Sequence, residues 1–122
     1  HLNESTEDCV VREVFEETGM HTKPKRLAAV LENFFEGQKE EWIGTHCHII
    51  EFVYLIEVND ISDCLNVSDD GEILRWIPID KIKEFEIRPD TIVENIERLL
   101  NGKEILHLVE TKYSKTQRIV VC

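Results

Sequence analysis

The chain has 122 residues, 42% of them hydrophobic and 32% charged, which is enough apolar material for one compact domain and too much for a disordered segment. Its formal charge of −11 argues against a nucleic-acid or anionic-membrane surface, since those partners demand clustered Lys and Arg. No apolar run approaches a membrane span; the longest, Ile49 to Ile56, is strand-like and broken by Glu51. Cys9, Cys47, Cys64 and Cys122 are scattered without zinc or redox spacing, as expected of reduced thiols in a soluble cytoplasmic protein.

The first predicted element is a helix from about Thr6 to Thr18. Ser5 suits its N-cap with Asp8 completing a capping box, and Gly19 suits the left-handed residue that ends it. At 3.6 residues per turn, Glu13, Glu16 and Glu17 share a face and Arg12 lies one turn from Glu16. Val11, Val14, Phe15 and Thr18 fall on another face and are expected to form the stripe that docks the helix. Three neighbouring carboxylates repel one another, and a helix C-terminus is the wrong end for anions, so the arrangement calls for a compensating cation or arginine. Oxygen-only ligands suit Mg²⁺ or Mn²⁺, the ions that bridge protein carboxylates to substrate phosphates. The competing reading of a Glu-rich helix is a solvated surface.

Lys23-Pro24-Lys25 reads as a loop, followed by an apolar strand from Leu27 to Phe35 and a hairpin around Gly37 with a charged tip. A second strand runs from His46 to Val58, with Ile50, Phe52, Tyr54 and Ile56 on one face and Ile49, Glu51, Val53, Leu55 and Glu57 on the other, as in a sheet covered on both sides. His46 and His48 flank Cys47 and share a strand face, a geometry open to zinc, but no further ligand of that type lies nearby and strand surface or pocket lining is the default. Trp42, Phe34, Phe35 and Trp76 are candidates to stack on a base, with core or hairpin packing the competing role.

Asn59 to Gly71 reads as an acidic surface loop, Glu72 to Ile79 as a short strand, and Asp80 as the N-cap of a short helix. Pro89 and Gly102 bracket a further helix with Ile92, Val93, Ile96, Leu99 and Leu100 at helical spacing, expected to pack on the sheet opposite the first helix. Arg88, just before it, is a candidate phosphate contact, with capping or ion pairing as alternatives. The tail from Ile105 to Cys122 alternates weakly and ends in Ile119-Val120-Val121, as would a closing strand or an intersubunit edge.

The string Glu4, then seven residues, then Arg12-Glu13-Val14-Phe15-Glu16-Glu17-Thr18-Gly19-Met20 resembles the signature of the Nudix hydrolase family, in which only a leading glycine has no counterpart here. The segment from Leu27 to Phe35 with its histidine-led following strand also resembles one branch of that family. The resemblance implies an α/β fold, an α/β/α sandwich with a mixed sheet, over a single domain spanning 1–122 that is N-terminally truncated, with upstream strands missing. It implies a pyrophosphohydrolase that cleaves a nucleoside diphosphate linked to another moiety, using Mg²⁺ or Mn²⁺. Glu13, Glu16 and Glu17 then look like metal-binding and water-activating carboxylates, Glu4 like an accessory metal ligand, and Arg12 like the group that orients them. His48 is implied as pocket lining. Glu72 is implied as an extra ligand or base from a loop, with a place in solvent as its alternative. The expected partner is a small-molecule nucleotide, with no nucleic acid and no membrane, and a homodimer is compatible with the resemblance. The rival readings are a non-catalytic nucleotide- or protein-binding module on the same fold and an RNA-directed enzyme, the latter disfavoured by the acidic balance.

Overall fold

The computed structural model of the chain describes residues 1–37, 43–68 and 70–111. In chain order it places helix α1 (Thr6–Thr18), strand β1 (Thr22–Glu36), strand β2 (His46–Val58), 3-10 turns at Ile61–Asp63 and Ile79–Glu84, helix α2 (Asp90–Glu94), helix α3 (Ile96–Asn101) and strand β3 (Leu106–Glu110). Trp42, the hairpin tip and the segment Ile119-Val120-Val121 with Cys122 lie outside the described residues.

The sheet is mixed and three-stranded in the order β2-β1-β3. β1 pairs antiparallel with β2 from Thr22 opposite Val58 to Glu36 opposite His46, and parallel with β3 from Ala29 opposite Leu106 to Asn33 opposite Glu110. Only the middle of β1 is flanked on both sides, and that is where burial is deepest: Ala29 and Leu31 are 0% exposed. They join Ala28, Leu99, Leu106 and Leu108 in the core, with Val53, Leu55 and Ile92 packed against it. Side chains alternate along a strand, so α2 and α3, which supply Ile92 and Leu99, cover the Val53 face. Tyr54 points to the other face, where its hydroxyl meets Thr6 of α1 at 2.7 Å. Helices therefore lie on both sides of a mixed sheet, the α/β arrangement read from the sequence.

Four local expectations are corrected. Lys23-Pro24-Lys25 belongs to β1 rather than to a loop; the pairing skips Lys25 and again Ala28, so bulges let a strand accommodate Pro24 without a complete ladder. The segment from Glu72 to Ile79 makes only an isolated bridge between Val67 and Ile73 and leaves Ile73 and Trp76 exposed. The turn after it is a 3-10 helix with Pro78 at its N-cap and Asp80 inside the first turn. The helix bracketed by Pro89 and Gly102 is divided at Asn95, whose backbone leaves helical geometry (φ −110°, ψ 15°) while its side-chain amide donates to the Thr91 carbonyl at 2.8 Å. The same Thr91 carbonyl also accepts the Asn95 N–H at 3.2 Å, so both donors of Asn95 close α2 there.

Two cross-element ties complete the frame. Arg26 of β1 donates to the carbonyls of Leu99 (2.6 Å) and Glu104 (3.0 Å), satisfying acceptors at the end of α3. On the α1 face, one carboxylate joins three strands: Glu32 of β1 meets His107 Nε2 of β3 at 2.6 Å and His48 Nε2 of β2 at 3.1 Å. His48 in turn stacks on Phe34, centroids 4.2 Å apart and planes within 6°. The His107 hydrogen bond, aided by that of His48, holds the Glu32 carboxyl below the ordinary value of 4.5. A lowered folded-state value stabilises the fold above the ordinary carboxylate range and ceases to do so as pH falls through it. Glu32→Gln is therefore expected to lower the melting temperature at neutral pH and to converge on the wild type under acid; a gap that stays constant across a pH series of melting curves would exclude this role.

Candidate active site

The geometry of α1 follows from its ends. The Ser5 hydroxyl accepts from the Asp8 N–H at 3.1 Å, and Glu7 and Asp8 occupy the first turn, where acidic side chains suit the positive end of the helix. Gly19 closes the helix in the left-handed region (φ 76°), its N–H reaching the Phe15 carbonyl at 2.8 Å, and the Leu65 side chain lies over it. The boundaries agree with the local signals.

The docking face does not. Cys9 and Val10 are the buried residues of α1, whereas Phe15 is 46% exposed and stacks on His21. Thr18 spends its hydroxyl locally, donating to the Val14 carbonyl at 2.6 Å and accepting from the Met20 N–H at 3.2 Å. Thr6, Val10, Glu13 and Glu17 follow each other at spacings of four, three and four, so the stripe that docks the helix continues as its carboxylates. Glu13, Glu16 and Glu17 thus lie on the half of α1 turned toward the sheet, with Glu13 38% and Glu16 49% exposed at the side chain.

Arg12 gathers the acidic residues. Its Nε and Nη2 donate to the two oxygens of Glu4 at 2.8 and 2.9 Å, a bidentate fork, while Nη1 reaches both oxygens of Glu16 at 3.2 and 3.1 Å. Glu13 lies at 3.8 Å from the same guanidinium. The hydrogen bonds from Arg12 are the largest cause that pulls the Glu4 carboxyl down to about 2, and the same bonds donated to Glu4 and Glu16 raise the Arg12 guanidinium above its ordinary value. Glu4, Glu13 and Glu16 are therefore brought together around one cation, with Glu17 a turn on from Glu13.

The remaining sequence candidates stand apart. His48 lies six residues along β2 from Tyr54, about 20 Å at roughly 3.3 Å per residue, and is engaged by Glu32 and Phe34. Glu72 sits exposed in a small turn closed by its own backbone against Ser68. Arg88 pairs with Asp90 and, at 3.3 Å, with Glu86, in a cleft of about 370 Å³ that also takes in Lys83, Phe85 and Val93 beside α2. The structure thus joins the α1 set, and the described contacts of His48, Glu72 and Arg88 run to other residues. Glu32 and His107 escaped sequence reading because their meeting needs the β1–β3 pairing, and Tyr54 and Leu65 because only tertiary structure brings them to α1.

Among the described residues, no three His, Cys, Asp or Glu side chains stand in the geometry of a formed metal site. The donor chemistry nevertheless fits a hard divalent cation: carboxylate oxygens only, on one helical face, partly open to solvent. Replacing Arg12 by Ala removes the fork, so the Glu4 carboxyl is expected to rise from about 2 toward its ordinary 4.5, with the His1 amino group, 2.9 Å from Glu4, still holding part of the shift, a change that carbonyl NMR across an acid series reads directly. An unmoved Glu4 would show that another group holds it.

A family model described as the NUDIX domain matches residues 2–96, which takes in α1 with its whole carboxylate set, the β1–β2 hairpin and α2. No curated protein matches the chain. With the matched region covering most of the sequence and the arginine-centred glutamate helix inside it, the chain belongs to the Nudix family.

Proposed function

We propose that this protein is a Mg²⁺- or Mn²⁺-dependent pyrophosphohydrolase acting on a nucleoside diphosphate linked to another moiety. The observation that carries the reading is the α1 set itself: three glutamates on one face with a fourth, Glu4, tied to them through Arg12. Membership of the Nudix family supports hydrolysis of phosphoanhydrides at the family level.

Glu13, Glu16 and Glu17 would hold the ion, with Glu4 as an accessory ligand. A bound divalent ion lowers the pKa of water and neutralises charge on phosphoryl oxygens. The protein's own groups do the rest. Arg12 fixes Glu4 and Glu16 in place, so the carboxylates need little reorganisation before substrate arrives. Glu13, at the margin of the guanidinium, has a carboxylate oxygen available to take the proton as a water oxygen forms its bond to phosphorus and the bridging P–O bond breaks. The products are a nucleoside monophosphate and the phosphorylated second moiety.

His48, Glu72 and Arg88 remain proposed substrate contacts. We place the protein in the cytoplasm, an assignment supported by the free thiols of Cys9, Cys47 and Cys64. No helix among the described residues is long and apolar enough to cross a membrane.

The test is release of a nucleoside monophosphate from a panel of nucleoside diphosphate derivatives, with and without Mg²⁺ or Mn²⁺. Turnover is expected only with metal, and Glu16→Gln or Glu17→Gln is expected to lower kcat by about 10²-fold or more while the melting temperature holds. Wild-type rates in both variants would sink the assignment; nucleotide affinity without metal and without turnover would favour the binding module.

A further inference from the structure

Nothing in the family signature says what holds α1 in its rotation about its own axis. Its buried anchors are small, Cys9 and Val10, and the stripe they begin runs directly into Glu13 and Glu17. A rotation of about 20° about an axis roughly 5 to 6 Å away would carry a carboxylate about 2 Å, comparable to a whole metal–oxygen bond. Apolar packing by two small side chains is a weak brake on such a rotation.

Two contacts from outside the helix supply the brake. At the first turn, the Thr6 and Tyr54 hydroxyls meet at 2.7 Å, partly buried and 48 residues apart in sequence. At the last turn, the Leu65 N–H donates to the Thr18 carbonyl at 2.9 Å, and the Leu65 side chain seats on Gly19, where even an added Cβ would come within 3.1 Å of its Cγ. The second contact has an electrostatic effect as well. Glu16 and Glu17 crowd the negative end of a helix whose last turn holds no basic residue, and a donor to the terminal carbonyl offsets part of that field.

We infer that Tyr54 and Leu65 are positioning residues for the α1 carboxylates, clamping α1 at its two ends so that Glu13, Glu16 and Glu17 present their oxygens in register for a divalent ion. The inference rests on the metal-dependent reading of α1. It makes the acidic segment between Asn59 and Gly71 part of the site's support, through Leu65, without any of its carboxylates serving as ligand.

The experiment is Mn²⁺ binding to the whole chain, followed by the electron paramagnetic resonance of free Mn²⁺ well below each variant's melting temperature. Tyr54→Phe keeps the ring and removes the hydroxyl; Leu65→Ala removes the seat on Gly19. Each is expected to raise the Mn²⁺ half-saturation concentration about tenfold, as loss of a group orienting metal ligands does. Leu65→Met, which keeps an apolar chain over Gly19, is expected to restore wild-type affinity. Ile92→Ala, in the opposite layer, is expected to lower the melting temperature and leave Mn²⁺ affinity unchanged, which separates positioning from general stability. If Mn²⁺ binding depends on Glu16 while Tyr54→Phe and Leu65→Ala match the wild type, the positioning role falls alone. If the wild type binds no Mn²⁺, or Glu16→Gln leaves binding intact, the metal-dependent reading falls and the positioning role with it.

Discussion

Arg12 is the constraint on which the acidic helix depends. Without a cation beside them, Glu13, Glu16 and Glu17 would repel one another at the negative end of their own helix, and Glu4 would add a fourth charge beside its first turn. A guanidinium resolves this where an ammonium would not: its planar fork takes both oxygens of Glu4 and its remaining nitrogen takes Glu16. With Arg12 as the larger cause and the His1 amino group the next, the Glu4 carboxyl is held down to about 2. Because Arg12 is only a quarter exposed at the side chain, this compensation is less screened than a surface ion pair.

The sheet determines what that cluster faces. β1 is central, and its alternation separates two layers with different chemistry. One face, with Ala29, Leu31, Val53 and Leu55, is closed by α2, α3 and the core leucines. The other carries Tyr54 beneath α1 and, farther along, the Glu32, His48, His107 and Phe34 group. Burial follows the same division: Asn33 and Glu51, both 1% exposed, belong to the closed face, where Glu110 also accepts the Thr91 N–H at 3.3 Å. The main apolar core and the acidic site thus lie on opposite sides of one strand pair, so the α1 carboxylates can be arranged for chemistry while the core packing is met elsewhere.

What could be read without coordinates was local. The limits of α1 are set by a side-chain cap at Ser5 and a positive φ at Gly19, both of which depend on a few neighbouring residues, and β2 was delimited by its apolar run. The helical part of the acidic set was legible because Glu13, Glu16 and Glu17 are three and four residues apart, distances a helix converts directly into proximity, whereas Glu4, outside the helix, was legible only through the family signature. Failures came where a local signal met a tertiary one. Pro24 signals a loop, but a long antiparallel partner and two bulges absorb it; the periodicity from Pro89 to Gly102 signals one helix, but the backbone leaves helical geometry at Asn95; Phe15 looks like an anchor, but the sheet meets Cys9 and Val10 instead.

By itself, then, the sequence determined the Nudix family, the helix that bears the glutamates, the arginine that neutralises them and the oxygen-donor character of the set, because each is a matter of residue type at short spacing. Only the tertiary structure decided which side of α1 docks, that Tyr54 and Leu65 grip its ends, that Glu32 joins three strands through two histidines, and that His48 and Arg88 lie away from the acidic cluster. Those facts depend on strand register and on contacts between residues 16 to 75 positions apart, for which no local periodicity carries a signal.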